Sequence, residues 1–217
     1  MSMLNLDPCQ SFVFMYNIGM TVSRREQNKI EVRQSILKAS RKLFTKNGYD
    51  DTMMQDIAEK AKVSKATVYN YFPNKESLLI GIEQEVITQI VEKVESDPES
   101  TSSSKAKLRL ILETLVQASS EYWNLAKLIT YLNSCEDSAL YKARLPLENL
   151  IRQLIEDARD EGTLRKDIDT GQIVDVIMGV YLITLFQWEH IEKYTPGQIK
   201  NKLDKTFDAA IADCIYN

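Results

Sequence analysis

The stretch "VSKATVYNYFPNKESLL", residues 63–79, crowds Ser64, Lys65, Thr67, Tyr69, Asn70, Tyr71 and Lys75 around a few apolar positions. Lysine is a compact positive charge, and hydroxyl groups and helix N-termini donate hydrogen bonds to phosphate oxygens; such groups hold a sugar-phosphate backbone in register without reading bases. Asn70 is different, because its amide offers the donor and acceptor that match adenine in the major groove. The Ala66 methyl suits a thymine methyl. The chemistry on offer is a phosphate clamp with one base-reading amide. Singly, each residue has a blander role as core or solvated surface, so the spacing carries the reading.

Those side chains must be presented by helices. Apolar residues recur at helical spacing almost throughout, with only five prolines and seven glycines and no sustained β-type alternation, so the chain reads as all-α. A first helix is expected over about 27–47, stopped by Gly48, and Thr52 is expected to cap a short second one. Ser64 caps a third over Lys65–Tyr71, ended by Pro73, and Asn74 caps a fourth over about 75–95. Two short helices across a tight turn, packed on a longer one, form a helix-turn-helix, whose second element can enter the major groove. On it Val68 and Phe72 share the inward face with Val63, which leaves Lys65, Ala66, Tyr69 and Asn70 outward.

The pattern breaks near residue 96 at "SDPESTSSSK", and further helices are expected at about 104–119, 121–134, 138–160, 170–193 and 197–215. Charge divides the same way. Between Arg24 and Lys75 twelve Lys and Arg face six Asp and Glu, a net of +6, so with −4 overall the rest carries −10. A basic head on an acidic body suggests that one part meets a polyanion.

Other chemistries find little support. The single histidine, His190, and three scattered cysteines form no metal-ligand spacing or disulfide framework, no glycine-rich phosphate loop is present, and no nucleophile has a second imidazole nearby. No metal, cofactor or catalytic residue is therefore expected, and a reducing cytoplasm suits the cysteines. The longest uncharged apolar run, Val176–Trp188, is shorter than the roughly 18–20 residues that span a bilayer. Residues 1–22 are read as an extension outside the head.

Residues 36–79, "ILKASRKLFTKNGYDDTMMQDIAEKAKVSKATVYNYFPNKESLL", resemble the DNA-binding head of the TetR (tetracycline-repressor) family of bacterial transcription regulators. The resemblance implies a head at 23–76 and a ligand-binding and dimerisation body at 77–217. It implies that Thr52 caps the second helix and approaches phosphate, that Ser64, Lys65, Thr67, Tyr69 and Tyr71 line the recognition helix, that Ala66 and Asn70 lie nearest the bases, and that Lys75 holds a further phosphate. The family usually has glycine in the turn where Lys62 stands; if that turn needs positive φ, lysine costs about 1 kcal/mol.

In the last third, helix 170–193 is apolar nearly all round and must be covered on both sides. The final helix repeats Ile199, Leu203, Phe207 and Ile211 every four residues. Paired with their symmetry mates, the two would form a four-helix dimer interface through Ile177, Val180, Phe186, Trp188, Leu203, Phe207 and Ile211, as the resemblance also implies; the alternative is that they complete a monomer's core. The resemblance implies a double-stranded, palindromic operator, repression by a homodimer, and release by a small-molecule inducer. Tyr122, Trp123, Tyr131, Met178, Tyr181 and His190 are candidate pocket-lining residues, with core packing as the competing role for each. The acidic body favours a cationic or neutral inducer. The competing function is an all-helical interaction or ligand-sensing protein without sequence-specific DNA binding.

Overall fold

A computed structural model describes residues 23–96, 103–133, 138–187 and 194–215. Among them nine α-helices form and no strands: α1 Arg24–Asn47, α2 Met54–Ala61, α3 Lys65–Tyr71, α4 Lys75–Ser96, α5 Ser104–Ser120, α6 Trp123–Leu132, α7 Ala139–Asp160, α8 Thr170–Gln187 and α9 Pro196–Ala210, followed by a 3-10 turn at Ala212–Cys214. The all-α expectation holds. The expected extension at 1–22, and Trp188 and His190, lie outside the described residues.

Helix α1 starts three residues earlier than the periodicity suggests, because Ser23 and Glu26 form a capping box in which each side chain meets the other's backbone N–H. Gly48 ends it at φ 91°, a conformation that glycine adopts without steric cost. Helices α1, α2 and α3 then close around Ile36, Leu37, Ile57, Val68 and Phe72, all buried. The α4 backbone approaches this core at Gly81, where an added Cβ would lie 2.8 Å from Leu37 Cδ2 and 2.9 Å from Phe72 Cε1.

Helix α4 belongs to both halves. Its Leu78, Leu79 and Ile82 join the head's cluster, which also takes in Leu125 and Ile129 of α6 and Leu140 of α7, while Ile87, Ile90 and Val94 enter the body's cluster with α5, α7, α8 and α9. One rigid rod therefore runs from the DNA-binding core into the body.

Two polar links reinforce the junction. Arg33 donates to Gln84 at 3.1 Å and sits over the Phe72 ring, and Arg41 is ion-paired with Glu85 and lies 5.4 Å from the Tyr122 ring centre. Burial pushes the Glu85 carboxyl up, while the guanidinium of Arg41, and Arg33 beyond it, hold it down.

Candidate nucleic-acid interface and ligand cavity

The recognition helix is built from its cap outward. Ser64 Oγ accepts from the Thr67 N–H at 3.0 Å, which satisfies one of the free donors at the helix start, and the Ser64 and Thr67 hydroxyls bond each other at 2.7 Å. Val68 is fully buried and Phe72 nearly so, so α3 can show only one face. Lys65, Ala66, Tyr69 and Asn70 are all exposed on it. Lys65 Nζ lies 6.0 Å from the centre of the Tyr69 ring, so a cation and a phenol stand side by side. Tyr71 is half-buried, with its ring against the head's core.

Two expected contacts come out differently. Thr52 does not cap α2: its buried hydroxyl donates to the Gly48 carbonyl at 2.7 Å, and Met53 occupies the cap position, its N–H donating to Asp56 Oδ2 at 3.1 Å. A buried, spent hydroxyl reaches no phosphate, so Thr52 is a turn residue here. Lys75 Nζ donates to the carbonyls of Tyr49 at 2.8 Å and Asp50 at 3.0 Å and sits over the Tyr49 ring. The ammonium has three N–H groups, so one remains for an external partner. Asn74 caps α4 as expected, its Oδ1 accepting from the Ser77 N–H at 2.8 Å.

Lys62 has φ 59° and ψ 40°, the left-handed conformation, and its N–H satisfies the last carbonyls of α2. The turn does need positive φ, and lysine bears the strain that glycine would avoid.

The body holds a partly open cavity of ≈ 420 Å³ between α4, α5, α6, α7 and α8. Of the expected lining residues, Tyr122, Met178 and Tyr181 face it. Trp123 packs against the body's core and Tyr131 is 71% exposed, so neither lines it.

Sequence reasoning missed the cavity's charged members, Glu83, Arg144, Arg41, Lys93 and Glu121. Glu83 is flanked on α4 by Leu79 and by Val86 and Ile87, so a carboxyl interrupts an apolar stripe; that interruption was the available signal. Burial raises the Glu83 carboxyl to about 7 against the opposing pull of Arg144 and a hydrogen bond from Asn133. Tyr181, bonded to the Ser119 hydroxyl at 3.0 Å, is raised to about 12, chiefly by burial. Arg41 is the head's sole contribution to the wall among the described residues.

The expected dimer interface needs correction. Ile177, Val180, Leu203, Phe207 and Ile211 are sealed within the protomer's own core, where α8 and α9 pack on α5, so they cannot face a second copy. What α8 leaves uncovered is Phe186 of the expected set, 50% exposed, with Leu182 and Ile183 beside it.

Among the described residues no group of three or more His, Cys, Asp or Glu could hold a metal, and no helix is long and apolar enough to cross a membrane.

This layout of a basic helix-turn-helix head on a helical body with a cavity matches known proteins. Residues 36–82 match the family "Bacterial regulatory proteins, tetR family", and residues 84–212 match "TetR/AcrR family transcriptional repressors, C-terminal domain". The chain belongs to the TetR family and is a ligand-responsive, DNA-binding transcriptional repressor.

Among relatives, the fatty acid metabolism regulator protein of Bacillus subtilis is 29% identical over 140 residues, covering 64% of this chain and 69% of that one. The transcriptional repressor KstR of Mycobacterium tuberculosis is 26% identical over 183 residues, covering 84% and 82%. Two solved structures share the fold: FadR from Bacillus subtilis in complex with stearoyl-CoA (TM-score 0.68, 21% identity, 82% of this chain and 97% of that one) and AibR in complex with isovaleryl coenzyme A and operator DNA (TM-score 0.59, 20% identity, 82% and 97%).

Proposed function

We propose that this repressor binds a palindromic operator as a homodimer, reading it with α3, and leaves it when a small molecule occupies the body's cavity. The observation that supports the reading is the single exposed face of α3, which shows Lys65, Ala66, Tyr69 and Asn70; in this reading Lys65 and Tyr69, with Thr67 beside them, meet phosphates, and Asn70 and Ala66 meet base edges. Two-fold symmetry would set the recognition helices about 34–36 Å apart, one turn of DNA. The exposed Phe186 of the expected set, with Leu182 and Ile183 beside it, supports α8 as the self-association face in place of the buried members of that set. The protein works in the cytoplasm, without catalytic activity, cofactor or membrane partner.

Release of DNA follows from the junction. A ligand acts only by favouring one arrangement of head and body over another. Arg41 supports this coupling, because it belongs to the head, lines the cavity and pairs with Glu85 of the body.

The test is a fluorescence titration against duplex DNA from upstream of its own gene at two salt concentrations. Binding that weakens steeply as salt rises, because displaced counterions oppose it, is the expected result. Absence of duplex binding at low salt would leave only the ligand-sensing reading.

A further inference from the structure

The acyl thioesters bound by the two structural relatives give a reference for judging this cavity. An acyl chain brings no hydrogen-bond donor and needs an apolar wall. One part of this wall qualifies, with Ile82, Leu115, Leu125, Ile129, Leu147 and Met178. The rest is a linked polar set. Glu83, Asn133, Arg144 and Thr130 share the wall, Arg144 acts on the Glu83 carboxyl, and Tyr181 bonds the Ser119 hydroxyl at 3.0 Å.

Within this set one buried acceptor is left wanting. Asn133 is 2% exposed, and its Oδ1 has no partner. The Glu83 carboxyl, half-buried, lines the same wall, and Arg144 is the cation that acts on it. Buried acceptors without donors are costly, and a ligand that supplies the donors recovers that cost.

From this geometry we infer that the cavity takes a compact ligand with an apolar or aromatic body and a positively charged, hydrogen-bond-donating nitrogen, an ammonium or protonated heterocycle, seated against Glu83 and Asn133. At ≈ 420 Å³ the space lies toward the small end of ligand pockets, which run from about 300 to 1,000 Å³. The rings of Tyr122 and Tyr181 in the wall suit a cation. A carboxylate ligand fares worse, because like charges brought together force one of them to take up a proton.

The charged groups of the wall decide the protons. Arg144 on α7, Arg41 on α1 and Lys93 on α4 are cationic, Glu121 is anionic, and Tyr181 stays neutral. Arg41 is already paired with Glu85, which leaves Arg144 as the cation facing Glu83. Seating a cation against Glu83 drives the carboxyl to its charged form, so binding near pH 6.5 expels a proton to solvent.

This inference rests on the reading of the body as a ligand sensor. It is tested by calorimetry on the full chain with tryptamine and its carboxylate counterpart indole-3-propionate, which share an aromatic body, and with lauroyl-CoA. Titrations at pH 6.5 in two buffers of different ionisation enthalpy count the protons. The expected result is that tryptamine binds with proton release and the other two do not bind. Glu83→Gln should weaken tryptamine by at least about tenfold, with circular dichroism and a cooperative thermal transition showing that the variant is folded. Tighter binding of indole-3-propionate or lauroyl-CoA overturns the inference, as does no heat from tryptamine at millimolar concentration, or unchanged tryptamine affinity in Glu83→Gln. Failure of the DNA reading appears separately, as absent duplex binding by the wild type, on which the calorimetry does not depend.

Discussion

Arg41 of the DNA-binding head and Glu85 of the helix that enters the body form an ion pair whose side chains are each 17% exposed. The same guanidinium covers the Tyr122 ring, and both Arg41 and Tyr122 belong to the cavity wall. The pair is thus a polar link between the cavity wall and the DNA-binding head. Removing one partner of a largely buried pair leaves the other charge uncompensated, whereas replacing both with apolar residues is often tolerated. Arg41→Ala is expected to cost about 3 kcal/mol by urea denaturation, and Arg41→Met with Glu85→Met appreciably less. The double variant should bind operator but respond weakly to a cavity ligand in a gel-shift titration; a full ligand response would remove this pair from the coupling.

Tyr69 and Asn70 are adjacent and exposed yet are assigned different tasks. Tyr69→Ala should leave the fold intact and weaken operator binding on all sequences alike. Asn70→Ala should cost about 1–3 kcal/mol at the adenine position and relax preference there. Binding-site selection on both variants separates the two, and identical selected sites for Asn70→Ala and wild type would withdraw its base-reading role.

The α8 stripe keeps Phe186 of the interface that periodicity suggested and replaces its buried members with Leu182 and Ile183. Phe186→Glu alters a half-exposed position, so the protomer should stay folded while light scattering reports a shift toward monomer and operator affinity falls. Leu203→Ala should do the reverse: the residue is buried within the protomer, so about 2–5 kcal/mol of stability is lost without a specific effect on association.

Lys62 has φ 59° in the turn between α2 and α3. Glycine there removes the steric strain but adds freedom to the unfolded chain, so Lys62→Gly should raise stability by about 1 kcal/mol or less. A thermal shift of a few degrees upward is the expected reading, with duplex affinity changed only by the loss of one surface charge.

Much of the head was legible because each element carries local punctuation: Ser64 and Asn74 cap, Gly48 and Pro73 stop, and Val68 and Phe72 fix which face of α3 is hidden. The Ser23–Glu26 capping box was equally legible and moves the start of α1 to Arg24. Thr52 misled because a threonine before a helix can turn its hydroxyl back to the preceding loop as readily as forward to the helix. The body was less legible. An all-round apolar helix such as α8 does not state which stripe meets its own bundle and which a second chain, since both are apolar. The cavity depends on residues from five body helices and Arg41 of α1, and no local spacing announces such a gathering; Glu83 alone, a carboxyl on an apolar stripe, gave a hint.

Glu83 also yields a prediction about pH. Its carboxyl titrates near 7 in the folded protein against an ordinary value of 4.5, so the folded state holds a proton that the unfolded state has released. Stability from this group is therefore fully present below about pH 4.5, falls as pH rises toward 7, and changes little beyond. Glutamine cannot ionise, so the difference in unfolding free energy between Glu83→Gln and wild type should shift in the variant's favour by on the order of 2 kcal/mol between pH 5 and 8. Glu85, also raised by burial, contributes equally to both proteins and cancels in the comparison. Urea denaturation across that range measures the difference directly. A constant offset between the two proteins would mean that the carboxyl is ionised throughout, and that Arg144 and Asn133 neutralise it without help from a ligand.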